Sequence, residues 1–318
     1  MGVGLLAVST ASLFIRYAQA DGAPSLVIAA WRLSLATLVL LPLVLGRHRS
    51  EFARLAGRDW GLMAASGAFL GLHFGTWISS LAYTTVANSV VLVSTAPLFV
   101  ALLAAGLLRE RLTRAVLAGL VLALVGSIIV GVSDACAAGG CPTPADLVRG
   151  EGFLGDMLAL AGAAAVAVYL LIGRAVRARL SLLVYIFLTY GTAALTLIAA
   201  VWLTGTPLAG FTPADFPASL ARGLAGLLAG TGPAGGGWAL WVLLLALVPQ
   251  LIGHTSYNWA LKYLPATFVS VTILGEPIGS TLLALLLLDE TPTALKLLGG
   301  ALILAGLLAA SLRRRTES

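Results

Sequence analysis

Glu276 sits about ten residues into an apolar run, between Gly275 and Pro277. A carboxylate at that depth costs roughly 2.5–3.5 kcal/mol on insertion scales, so it is a functional candidate by default. It can contact a polar substrate group, carry a proton, or pair with a buried arginine. Pro277 lacks a backbone donor, which frees carbonyls to line a cavity. Arg16 and Arg32 lie a turn or two inside two earlier apolar runs, where each can pair with Glu276 or meet a carboxylate or phosphate. His73 stands near the centre of a third run, with Trp77 four residues on and so on the same helix face. An imidazole there can donate, accept or move a proton. Tyr83 and Asn88 follow closely, and a second cluster comprises His254, Tyr257, Asn258 and Trp259. The expected substrate-binding residues are therefore Arg32, His73, Trp77, Tyr83, Asn88, Tyr257, Asn258 and Glu276. Tyr169, Tyr185 and Tyr190 are further candidates to face a cavity. The competing role for an aromatic residue is the membrane-interface belt, expected for Trp60, Trp238, Trp241, Trp259 and Tyr263.

The elements that must position these groups are apolar helices. Of the 318 residues, 59% are hydrophobic and 10% charged, and the mean hydropathy is +1.01. A soluble domain has roughly 25% charged residues, so the solvent of this chain is lipid. About 20 apolar residues cross the hydrocarbon, and ten spans can be marked: 2–20, 25–45, 60–81, 85–108, 114–133, 152–173, 181–203, 238–260, 266–288 and 294–312. Arginines cluster after spans two, four and six and in the tail, while the alternate linkers are poor in them. The positive-inside rule then places both termini in the cytoplasm. The net charge of +6 reflects this topology and not nucleic-acid binding. The Ala-Gln-Ala at 18–20 resembles a signal-peptidase site, but Arg16 interrupts the apolar run, so a first span is expected. The linker at 204–237, with four prolines, is expected to be a poorly ordered external loop in which 218–229 can form a short interfacial helix.

The chain also repeats itself. The stretch 81–126 aligns with 261–306 without a gap at an offset of 180 residues. The matches include Tyr83 with Tyr263, Pro97 with Pro277, Glu110 with Glu290, Thr113 with Thr293, Gly119 with Gly299 and Gly126 with Gly306. Five spans per half force the second half to insert upside down, the arrangement of transporters that alternate access around a midplane site. The expected organisation is a five-helix repeat at 1–133, an external linker at 134–151 and an inverted five-helix repeat at 152–318. The copies differ where chemistry is expected: Ala96 stands opposite Glu276, Asn88 opposite Phe268 and His73 opposite Gly253. The glycines of spans five and ten recur every seven residues, which puts them on one face for helix packing or a homodimer contact.

The paired Pro–(apolar)–Glu-x-x-Thr–Gly pattern, Ala29-Ala30-Trp31-Arg32, and Leu274-Gly275-Glu276-Pro277 resemble the EamA family of the drug/metabolite transporter superfamily. The resemblance implies an all-α integral membrane protein of ten transmembrane helices, two inverted repeats in the drug/metabolite transporter fold. It also implies a central cavity enclosed by the first four helices of each repeat, with spans five and ten peripheral.

The expected function is secondary transport of a small organic solute by alternating access, with export of amino acids or related metabolites across the inner (plasma) membrane as the first expectation. The nearer alternative is a lipid-linked sugar or lipid flippase. The alternative from another class is an intramembrane enzyme, but His-Glu-x-x-His is missing and no pair of deep aspartates exists. No GxxxxGK[ST] marks ATP drive. No catalytic residue, metal or cofactor is expected. The expected partners are the solute and membrane lipid. Cys136 and Cys141 fall in the external linker, where a disulfide can form.

Overall fold

A computed structural model describes residues 1–84, 89, 92–107, 114–137, 150–230, 236–276, 278–279, 283 and 292–312. The elements are α1 (Gly2–Ser9), α2 (Ala11–Ala20), α3 (Ser25–Arg47), α4 (Arg49–Phe52), α5 (Gly57–Ser80), α6 (Ala96–Leu107) and α7 (Arg114–Ala137). They continue with α8 (Gly150–Arg177), α9 (Leu182–Leu203), α10 (Phe216–Ala229), α11 (Trp238–Leu245), a π-helical segment (Ala246–His254), α12 (Thr255–Ala260), α13 (Ala266–Ile273) and α14 (Ala294–Leu312). Among the described residues, six helices are long and apolar enough to cross a membrane: Gly2–Ala20, Ser25–Arg47, Gly57–Ser80, Gly152–Arg177, Leu182–Leu203 and Trp238–Ala260. Spans five and ten correspond to helices of 24 and 19 residues. Asn88, Pro277, Glu110, Thr113, Glu290 and Cys141 lie outside the described residues.

Lipid tails are as apolar as leucine, so helices in a membrane associate through close packing and not through burial of oily surface. The main pairs are α7 with α14, α5 with α8, α3 with α9, α5 with α9, α1 with the π-helical segment, and α6 with both α8 and α13. The α7–α14 pair shows how the glycine spacing is used. A Cβ on Gly126 would lie 2.5 Å from the Gly299 carbonyl oxygen, and one on Gly306 would lie 2.5 Å from that of Gly119. The backbones of these two helices touch. The glycine face expected for packing is therefore occupied within the chain, while Val121, Ile128, Leu304 and Leu308 on the same helices are exposed.

Two expectations need correction. The linker at 204–237 is not merely loop: Phe216–Ala229 is a helix closed by Gly230 at φ 66°, a left-handed position that favours glycine. It docks on the bundle because Trp31 Nε1 donates to the Phe211 carbonyl at 3.0 Å, Trp238 Nε1 donates to Gly210 at 3.1 Å, and the Trp31 and Phe216 rings stack at 4.9 Å. For the same reason Trp238 is buried and not in an interface belt. Trp241 is buried as well, against Phe14 and Tyr17 of α2. Trp60, Trp259 and Tyr263 are exposed.

A carboxylate fastens each end of α3 to a distant linker. At one end Asp21 Oδ1 accepts the Gly236 N–H at 3.0 Å. At the other, Glu51 Oε1 accepts the Ser181 N–H at 2.8 Å, just before α9, whose first turn Ser181 caps with its hydroxyl. Burial raises the Glu51 carboxyl, but hydrogen bonds from Ser181 and the neighbouring His48 outweigh this and hold it below the usual carboxylate range. A depressed native pKa stabilises the fold at neutral pH, and that stability is lost as pH falls through the depressed value. Glu51→Gln is accordingly expected to lower thermal stability at pH 7 and to flatten the acid limb measured from pH 7 to pH 3, so that variant and wild type converge at the acid end.

Candidate functional site

Arg32 is the best-anchored charge in the bundle. It lies two turns into α3, is 1% exposed, and donates from Nε to Gln250 Oε1 at 2.9 Å. Its guanidinium carbon sits 4.0 Å over the Phe74 ring, a cation–π contact. Gln250 comes from the π-helical segment, which contains Pro249. Proline cannot donate to the α ladder, and local π turns concentrate at functional sites. Amide below and ring above fix Arg32, and its Nη1 is buried without a hydrogen-bond partner.

That unused donor belongs to a cavity whose wall includes Arg32, His73, Trp77, Tyr257 and Glu276. Trp77 Nε1 and the Tyr257 hydroxyl are also buried without partners. His73 Nδ1 is 2.9 Å from the Gly162 carbonyl oxygen. A carbonyl only accepts, so Nδ1 carries the proton, and Nε2 of the neutral ring is left to accept. The aromatic wall is continuous: His73 stacks on Trp77 at 6.0 Å, Phe74 meets His254 edge-on at 5.2 Å, and His254 meets Tyr257 at 6.2 Å. Glu276 is half-buried. No ion pair within 4.0 Å joins it to Arg32 or Arg16 among the described residues. Among the described residues the cavity therefore offers a guanidinium with an unbonded Nη1 and a carboxylate outside ion-pair distance of it, in an aromatic setting. An ammonium suits the carboxylate, and a carboxylate suits the planar guanidinium.

Five of the eight residues expected to bind substrate thus share one wall: Arg32, His73, Trp77, Tyr257 and Glu276. Asn258 does not reach it. Its side chain accepts from the Tyr169 hydroxyl at 2.8 Å and donates to Tyr190 at 3.3 Å, while its carbonyl accepts from Arg177 Nε at 3.1 Å. It brackets α8, α9 and α12 together. Tyr83 is 42% exposed at the end of α5, away from the cavity. Asn88 lies outside the described residues. Tyr169, Tyr185 and Tyr190 are buried in hydrogen bonds and do not line the cavity. Sequence reasoning missed Gln250, although an amide next to a proline inside an apolar span is a usable signal.

The profile of the EamA-like transporter family matches residues 2–132 and 153–312. An uncharacterized transporter of Archaeoglobus fulgidus is 35% identical over 75 residues, which span 24% of this chain and 27% of that relative. A solved crystal structure superposes over 99% of this chain and 96% of its own, with a TM-score of 0.72 and 24% sequence identity. That likeness is one of fold.

Proposed function

The chain belongs to the EamA-like transporter family of the drug/metabolite transporter superfamily, and from that premise we propose that it moves a small zwitterionic solute of the amino-acid class by alternating access. It is a multi-pass membrane protein, and its family points to a transporter and not an enzyme. We propose further that it exports across the inner (plasma) membrane with both termini cytoplasmic.

The pairing of spans supports two inverted five-helix repeats. Packed pairs include three with six, one with eight, two with seven, three with seven, two with eight, four with six, four with nine, and five with ten. Exchanging each span for the one five places away turns three–six into eight–one and three–seven into eight–two, and leaves two–seven, four–nine and five–ten unchanged; the image of four–six is nine–one, where Ser9 Oγ donates to the Glu276 carbonyl at 3.2 Å, as a two-fold axis in the membrane plane requires. The cavity wall supports the same axis. At the 180-residue offset it carries Phe74 and His254, Trp77 and Tyr257, Val93 and Ile273, Ser94 and Leu274, and Ala96 and Glu276. The scaffold is symmetric and its chemistry is not, and the asymmetric residues are the ones that read the solute.

The observation that carries the substrate class is the unbonded Arg32 Nη1 and the Glu276 carboxylate on one wall, outside ion-pair distance of each other. Counterflow in proteoliposomes over amino acids, nucleosides and sugar phosphates tests it. Amino acids should accelerate exchange, and acceleration by sugar phosphates alone would refute the reading. Glu276→Gln gives a sharper test. Loss of a hydrogen bond to a charged group removes about 1.5–3 kcal/mol, or roughly 10- to 150-fold in discrimination. The variant is expected to lose that much preference for a free amino acid over its N-acetyl analogue. We also propose that any self-association uses the exposed outer faces of α7 and α14, because their glycines already face each other.

A further inference from the structure

We propose that a groove at the arginine-rich end of the bundle binds the phosphate of an anionic headgroup. The groove lies between the α3–α5 linker and the start of α9. Its charged lining is Arg47, His48, Glu51, Arg54, Asp59 and Arg179. Counting charges alone makes it nearly balanced, but the two carboxylates are already engaged. Glu51 accepts the Ser181 N–H and lies 3.4 Å from His48 Nδ1. Asp59 lies 3.0 Å from Arg179 Nη1, and its other oxygen accepts the Ala56 N–H at 3.3 Å. Arg47 and Arg54 have no carboxylate within 4.0 Å among the described residues.

Two uncommitted guanidinium forks on one groove match phosphate oxygens, which they bind bidentately. The setting adds a second constraint. The groove opens beside the lipid-facing end of α3, where Leu41, Leu43 and Leu45 are exposed. Trp60 is exposed on the other flank, 6.2 Å from Phe52. A phosphate held here sits at headgroup level with apolar surface running away from it, as basic clusters at the ends of spans hold anionic lipids. Because Glu51 and Arg179 also tie the linkers before α5 and α9 together, an occupant of the groove rests on the contact that closes this end. The inference is independent of the solute, since none of these residues lines the central cavity.

Native mass spectrometry of the full chain in detergent tests it with phosphatidylglycerol and phosphatidylcholine at equal concentration. The wild type should retain phosphatidylglycerol preferentially. Arg47→Gln with Arg54→Gln should weaken that binding roughly 30-fold, while Arg222→Gln, at a distant exposed arginine, should not. If the double variant fails to fold by thermal denaturation, each single variant should show about a five-fold loss. Inorganic phosphate titrated against bound phosphatidylglycerol identifies the source. Displacement at millimolar concentration means that the phosphate group alone is read, and no displacement means that the lipid tails contribute. Unchanged phosphatidylglycerol preference in folded Arg47 and Arg54 variants, or equal loss in Arg222→Gln, overturns the proposal.

Discussion

Arg32→Met is expected to abolish solute exchange while leaving the protein folded and in the membrane. Methionine keeps the unbranched apolar stem of the arginine, and apolar replacement of buried charge is often tolerated by a fold. The structural cost is one orphaned acceptor, Gln250 Oε1, at about 1–3 kcal/mol. The functional cost is larger. Breaking a buried, hydrogen-bonded charge contact costs about 2–5 kcal/mol, or roughly 30- to 4,000-fold in affinity for the solute carboxylate. Arg32→Lys is the informative partner. An ammonium keeps the charge, but it is a point donor and not a planar fork. It cannot hold Gln250, lie over Phe74 and still present a second donor to the cavity. A loss of roughly ten-fold is expected for it. Counterflow in proteoliposomes reads both, with thermal denaturation as the folding control. Exchange at the wild-type rate in Arg32→Met would remove the arginine from the site.

The second large effect concerns stability. Gly126→Ala and Gly306→Ala should each destabilise the protein, and by similar amounts, although they lie 180 residues apart. Each new Cβ would approach a backbone carbonyl to 2.5 Å, and on Gly306 also the Ala123 nitrogen at 2.8 Å. Backbone atoms in a helix cannot swing aside as a side chain can, so the helices must separate. Overpacking of this kind costs about 1–3 kcal/mol or more, which corresponds to a drop of roughly 2–10 °C in Tm. Gly300→Ala is the control on the same helix, because its Cβ would meet only Ile278 at 4.0 Å. It should be neutral within about 0.5 kcal/mol. Unequal losses at 126 and 306 would argue against two-fold equivalence of the two contacts.

Much of this was legible before any coordinates, and the reasons are particular. Gly119, Gly126, Gly299 and Gly306 announce a close helix contact because a missing side chain has few other uses in an apolar span. Arg32, His73 and Glu276 announce a cavity because lipid penalises them elsewhere. The sequence was silent where a face had to be assigned. Tyr257 and Asn258 are neighbours, yet one lines the cavity and the other brackets helices. The π-helical segment just before them rotates the helix by an amount that no regular periodicity contains. Trp238 and Trp241 looked interfacial because their burial depends on partners far away in sequence, the segment around Phe211 and Phe216 for one and α2 for the other. Gln250 was missed because its meaning lies in a hydrogen bond spanning 218 positions.

The two carboxylate fastenings at the ends of α3 carry an energetic consequence. Each includes a backbone N–H given to a carboxylate, Gly236 to Asp21 and Ser181 to Glu51. A bond of that kind contributes about 1.5–3 kcal/mol net, against a thermal energy of about 0.6 kcal/mol. On that contribution alone, the bond at either end is broken in roughly one molecule in ten to one in two hundred. Doors held this lightly need no fuel to swing. Under the proposed cycle, an imposed gradient would serve to bias the direction of traffic, and random motion would supply the opening itself.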